Sequence, residues 1–446
     1  MKLSEGCLLN FIPIKVVLRV PGKRKNFANP IFYLHYFSMG RWNFGWIFLV
    51  FTWPLLAKDF LDTNLVPEWS SLDSFQHRII RTDFEHLLTK VYCPRATWRK
   101  GWIELKEKEV WIKKSKRLDD WYKLSFGDGN QTSTGKDSVP QSRSKLSLQG
   151  LTIALDPGHI GGDYSKMEGR HFSIGESPPV KEGDLALTVA KILKKKLIDV
   201  GAEVILVREE NRPVSSYQPR DFLEEVEEWI VAKEERRGER FPVKERTKMI
   251  KDRSEVLFYR VSEIHARADF INTQVLPDFA VCIHLNAAPW SDPDSFELLE
   301  RNDYHVLVNG CYMGGELADD QQRFEMIYRL VNGWHKTELL LAENVSRSFS
   351  RLTKLPPFSY KGPNALKVGE VKGVWARNLL ANRIYRCPVV FLEPYVANSK
   401  EAYERIQLGN YEGKMQVSGE PKLSLVEEYA ESVFQGICES FSGSGK

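Results

Sequence analysis

Cysteine is scarce in this 446-residue chain. The six present, at positions 7, 93, 282, 311, 387 and 438, form no CxxC pair and no ladder of spacings. That excludes a disulfide-built scaffold and a structural zinc site made of four cysteines. An excess of one charge is also lacking. Lys and Arg number 63 against 59 Asp and Glu, a net charge of +4, without the dense basic balance of a nucleic-acid binder. Core material is present: 42% of residues are hydrophobic and 12% aromatic, which excludes wholesale disorder. The length suits one large domain or two to three modest ones.

The slight basicity is local. Residues 1–57 hold seven Lys and Arg and one acid, so removing them takes the net charge from +4 to −2. Within this stretch, Met39 opens MGRWNFGWIFLVFTWPLLAKD: one positive charge at Arg41, an apolar run from Trp46 to Ala57, then polar Lys58-Asp59. That pattern predicts a secretory signal at about 39–57. The run is shorter than the roughly 20 residues of a comfortable membrane span, although an uncleaved signal would anchor the protein. The expected location is therefore periplasmic or secreted. The 38 residues upstream show no domain pattern and suggest that translation starts at Met39. Loss of Cys7 with the leader leaves five cysteines, an odd number for an exported protein, so at least one thiol is expected to stay free or pair between chains. Cys282 or Cys387, in apolar runs, is the expected free one.

Residues 58–126 read as a small β-rich module, with strand-like patterns over Trp102–Lys113 and Trp121–Phe126. Its tryptophans supply bulk to a small core. Residues 127–146 are rich in Ser, Thr, Gly and Gln and read as a flexible linker. From 147 to 441 strand and helix patterns alternate. Strands are expected at Leu151–Leu155, Val204–Val207, Phe279–Ile283 and Val389–Leu392, and helices at Gly183–Asp199, Leu339–Leu352 and Leu425–Phe441. This is an α/β pattern, predicting a mostly parallel central sheet flanked by helices.

Three polar residues follow expected strands directly. His159 ends LTIALDPGH, His284 ends FAVCIH and Glu393 ends PVVFLE, while Glu182 opens the helix after the first strand. Reactants in open α/β sheets gather at the carboxyl ends of strands, so these side chains converge if the strands are parallel neighbours. Two imidazoles and a carboxylate with one open position make a catalytic zinc site. A second, unligated carboxylate can then move protons between water and leaving group.

The segments LDPGH (155–159), KEGDLAL (181–187), VILVR (204–208), RADFIN (267–272), IHLNA (283–287) and VVFLEPYVANS (389–399), in this order, resemble the zinc-dependent N-acetylmuramoyl-L-alanine amidases, which cut peptidoglycan. The resemblance implies Zn2+ as cofactor, His159, Glu182 and His284 as its ligands, and Glu393 as general base and acid. It implies hydrolysis of the amide between N-acetylmuramic acid and L-alanine of the stem peptide. Asn286 and Asn398, close to their motif residues, are expected to orient loops at a substrate-binding face.

Two features depart from the family pattern. Ile160 intrudes before Gly161-Gly162, and the loop from His159 to Glu182 is long and contains Glu168, His171 and Glu176. Glu176 is thus an alternative metal ligand. Between Arg208 and Arg267 lies an insertion, about 221–265, roughly half charged and read as two helices broken around Gly238–Pro242. It is either a solvated insertion or a lid or arm for an activator or regulatory protein. The competing functional readings are another zinc peptidase of the envelope and a catalytically dead peptidoglycan-binding protein. No nucleic-acid partner is expected.

Overall fold

Apolar residues alternate between the two faces of each central strand, so a sheet built from them must be covered on both sides. The structure, a computed structural model, describes residues 67–128, 148–290 and 297–442, with positions 15–16, 32–33 and 61 besides. The expected signal at 39–57 and residues 129–146 of the expected linker lie outside them. Thr63–Lys446 form one compact unit; in the other, Met1–Asp62, Lys15–Val16 pairs antiparallel with Phe32–Tyr33. Among the described residues no helix is long and apolar enough to cross a membrane.

The first part of the larger unit holds a short helix, Arg81–Leu87, and an antiparallel sheet of β1 (Ile103–Leu105), β2 (Glu109–Lys113) and β3 (Trp121–Ser125). Its buried residues, among them Trp69, Phe84, Ile112 and Leu124, belong to the same hydrophobic cluster as Phe324, Ile327 and Leu330. Trp69 meets the Phe324 ring edge-on at 5.3 Å, and Arg323 Nε donates to the carbonyl of Lys113 at 2.6 Å. The core is thus continuous from the module into the rest of the unit, and the tryptophan fills it.

The central sheet has seven strands: β4 (Thr152–Pro157), β5 (Glu203–Leu206), β6 (Phe279–Ile283), β7 (Tyr304–Val308), β8 (Leu366–Lys367), β9 (Val374–Ala376) and β10 (Val389–Pro394). Their order is β8-β9-β7-β10-β6-β4-β5. From β10 to β5 all pairings are parallel, whereas β7 runs antiparallel to β10 and β8 antiparallel to β9. The mostly parallel sheet expected from the alternating pattern is present. Ile153, Leu155, Val281, Ile283, Val390 and Leu392 face one core with the long helices α1 (Glu182–Asp199), α6 (His335–Thr353) and α7 (Leu425–Phe441). Ala154, Ala280, Cys282, Val389 and Phe391 face the other, beneath Ala268, Ile271 and Tyr385.

The stretch expected as an insertion forms two helices, α2 (Leu223–Arg237) and α3 (Val243–Val256), with Gly238 closing α2 at φ 78°. Arg246 of α3 ties back to Glu227 and Glu234 of α2. α3 does not stop where the insertion was expected to end. It runs through a wider turn at Leu257–Ser262 into α4 (Glu263–Phe270), so the arm and the RADFIN segment share one helical run. Helix α5 (Asp320–Val331) is capped by the Asp319 side chain on the N–H of Gln322. Cys93, Cys282, Cys311, Cys387 and Cys438 are all buried free thiols; Cys387 lies in the bend before β10 rather than in a strand.

Candidate metal centre and active site

Register brings the strand ends together. Pro157 of β4 pairs with Ile283 of β6, which pairs with Leu392 of β10. Gly158, His284 and Glu393 are therefore the next positions on three adjacent parallel strands. His284 lies flat on Phe391, ring centroids 4.3 Å apart, and Phe391 and Glu393 share one face of β10 because side chains alternate along a strand.

Glu182, the first residue of α1, enters this cleft from above. Its Oε1 lies 3.3 Å from Nε2 of His159 and 3.1 Å from Nδ1 of His284, and accepts from the N–H of Leu285 at 3.2 Å. His159, Glu182 and His284 each present one ligand atom within 4.8 Å of the others. Glu176 is not in this cluster; it lies exposed in the loop between the two short strands His171–Phe172 and Val180–Lys181.

Backbone close to the cluster is under unusual constraint. A Cβ at position 158 would lie 2.3 to 2.5 Å from ring atoms of His284, so only glycine fits under that imidazole. His159 itself has φ 57°, in the left-handed region that non-glycine residues avoid. Two buried arginines hold the turn. Arg208 donates to the carbonyls of Pro157 (3.1 Å), Gly158 (3.1 Å) and Gly183 (2.7 Å). Arg267 donates to the carbonyls of Pro157 (2.7 Å) and His159 (2.9 Å) and to the carboxylates of Asp156 and Glu263, both at 2.8 Å. The sequence marked VILVR and RADFIN without assigning these arginines a task. Charged residues beside apolar segments were the available signal.

The electrostatics divide the two glutamates. Burial by itself would raise Glu182, yet His159 and then His284 hold it well below the ordinary range. Burial also pulls His159 down, but Glu182 and Glu168 outweigh it and carry that imidazole up to about 9. Burial dominates at His284 and keeps it below its ordinary value. Glu393 is pushed up to about 8, first by burial and then by the charge of Glu182, against the pull of Arg170, His159 and Arg377. One carboxylate is thus ready to bind a cation, and the other holds a proton near neutrality.

A pocket beside Glu182 is lined by Arg170, Phe172, Leu285, Trp290 and Asn398. Phe172 packs between Trp290 (5.2 Å) and Tyr403 (6.0 Å). Asn398 is buried, and its amide both accepts from and donates to the backbone of Ala288, at 3.0 and 2.8 Å. Asn286 exchanges backbone bonds with Tyr395 and Ala397. Both asparagines therefore sit in the loops that flank the pocket, with Asn398 engaged in holding one of them.

Residues 153–417 match the family described as N-acetylmuramoyl-L-alanine amidase. A comparison with curated proteins finds no match. Among solved structures the chain is similar to the CwlD amidase from Clostridioides difficile in complex with the GerS lipoprotein, with TM-score 0.36 and 13% identity over 65% of this chain and 98% of that one. It is also similar to apo Ami1, an N-acetylmuramyl-L-alanine amidase from Mycobacterium abscessus (TM-score 0.35, 15% identity, 66% and 100% covered). The catalytic domain of CwlV from Bacillus (Paenibacillus) polymyxa gives TM-score 0.32 and 13% identity, with 65% and 97% covered. With the family match spanning more than half of its length, this chain belongs to the N-acetylmuramoyl-L-alanine amidases and is a peptidoglycan amidase.

Proposed function

We propose that His159, Glu182 and His284 hold a zinc ion and that Glu393 is the general base and acid. The reaction is hydrolysis of the amide between the lactyl group of N-acetylmuramic acid and L-alanine of the stem peptide. The convergence of the three donors at the ends of adjacent strands carries this reading. The residues fit the ion: two imidazole nitrogens and a carboxylate oxygen are a catalytic zinc donor set, and the flat seat over Gly158 fixes one of the rings. Zinc bound there supplies a Lewis acid for the amide carbonyl and acidifies water to a pKa of about 7.

In its ionised form Glu393 accepts the proton of the attacking water as the new C–O bond forms. It then delivers that proton to the amide nitrogen as the C–N bond breaks, so the products are a lactyl carboxylate and a free N-terminal alanine. Its pKa, raised by burial, makes it a stronger base than an exposed glutamate and lets it hold the proton between the two steps. Asn286 and Asn398 orient the loops that receive the stem peptide. Export through the segment at 39–57 delivers the enzyme to the cell envelope, and the α2–α3 arm receives an activator or regulatory protein. The arm's continuity with α4 supports that role, since α4 carries Arg267, which donates to the carbonyl of His159.

Metal analysis of purified variants tests the ligand set. Glu182→Ala is expected to lose zinc and Glu176→Ala to keep it. Full zinc in Glu182→Ala would move the ligand elsewhere.

A further inference from the structure

The long loop after His159 folds back beneath it. Glu168, whose side chain is 1% exposed, places Oε1 3.4 Å from Nδ1 of His159. The same carboxylate accepts from the N–H of Ile160 at 2.9 and 3.1 Å and from the N–H of Gly161 at 3.1 Å. Glu182 meets the other ring nitrogen of His159, Nε2. The two glutamates thus address different nitrogens of one imidazole, and Glu168 lies outside the three-residue metal cluster.

Resting on the zinc-centre reading, we propose that Glu168 is a positioning residue: its carboxylate accepts the Nδ1–H of His159 and so presents the Nε2 lone pair to the metal. A metal-binding histidine needs its other nitrogen fixed, because the tautomer decides which lone pair is free. This also accounts for the departure at Ile160. That side chain is buried, and its N–H, with that of Gly161, anchors the carboxylate that orients the preceding histidine. The loop after His159 therefore supplies a buried acceptor behind the ligand.

Glu168→Gln separates orientation from loop closure. The amide oxygen of glutamine can still accept from Ile160 and Gly161, but its NH2 cannot accept from Nδ1–H. Zinc-loaded full chain is mixed with excess chelator and the release rate recorded, alongside the melting temperature of zinc-free protein. The variant is expected to release zinc about 10–100-fold faster with unchanged zinc-free melting. An unchanged release rate, or a faster one matched by a lowered zinc-free melting temperature, would overturn the proposal in favour of simple loop closure.

Nitrogen NMR on zinc-loaded wild type decides the matter even if the variant fails to fold. His159 protonated on Nδ1 and bound through Nε2 is expected, and the reverse would refute it. Wild type that binds no zinc would instead remove the metal-centre reading on which this proposal stands.

Discussion

Arg267 reaches across 108 residues of sequence to donate from Nη2 to the backbone carbonyl of His159 at 2.9 Å. The same guanidinium is paired with Asp156 and Glu263, all three side chains being buried. Truncation at Arg267 leaves two buried carboxylates without their cation and frees a strained turn. Arg267→Ala is expected to lose about 3–5 kcal/mol of stability and to bind zinc poorly if it folds. Chemical denaturation with metal analysis checks this; a loss below about 1 kcal/mol, the range of an exposed ion pair, would show that the network does not brace the turn.

Gly158 offers a test that removes no functional group. The Cβ of Gly158→Ala would collide with the His284 ring, and the ring cannot retreat because Phe391 lies against it. His284 is therefore expected to be displaced, with zinc content and amidase activity falling together and secondary structure intact by circular dichroism. A fully active, zinc-replete Gly158→Ala protein would contradict the placement of His284.

The pKa shifts predict how metal-free protein responds to pH. His159 rises from 6.5 to about 9 and Glu393 from 4.5 to about 8. A raised folded-state pKa contributes stability that is full below the unfolded value and lost as pH climbs through the folded one. Burial holds His265, His305 and His335 low, and they are neutral in both states only above about pH 6.5. Zinc-free protein should therefore melt at progressively lower temperature from about pH 6.5 to about 9. Zinc requires neutral His159, so its binding strengthens over the same interval and releases protons. Calorimetry at pH 7 in buffers of different ionisation enthalpy should show that release, and it should persist in Glu393→Gln, where His159 remains its source. Binding enthalpy independent of buffer would contradict it.

Much of this was legible beforehand because it rests on short-range patterns. Phe279–Ile283 and Leu425–Phe441 were bounded as found, since a short continuous apolar run marks a strand covered on both faces and a one-sided apolar stripe marks a helix packed on one side. His159, His284 and Glu393 were legible as residues ending apolar strands, and their parallel adjacency brings them side by side. The antiparallel strand Tyr304–Val308 and the short Val374–Ala376 were not expected. Tyr304–Val308 reads YHVLV, an apolar and β-branched run that was a usable strand signal. The three-residue Val374–Ala376 is too short to stand out and is a strand only through its pairing with Tyr304–Val308 and Leu366–Lys367. The grip of Arg208 and Arg267 on the DPGH carbonyls, and of Glu168 on His159, depends on contacts between distant or folded-back segments that no spacing encodes.

The central claim, that zinc held by His159, Glu182 and His284 works with Glu393 on the amide to L-alanine, meets its most direct test in one paired measurement. Zinc content and peptidoglycan products are determined for wild type and Glu393→Ala. Wild type should hold zinc and release stem peptides with a free N-terminal alanine, while Glu393→Ala holds as much zinc and releases none above background. Wild-type turnover by Glu393→Ala, or by protein without zinc, would contradict the account.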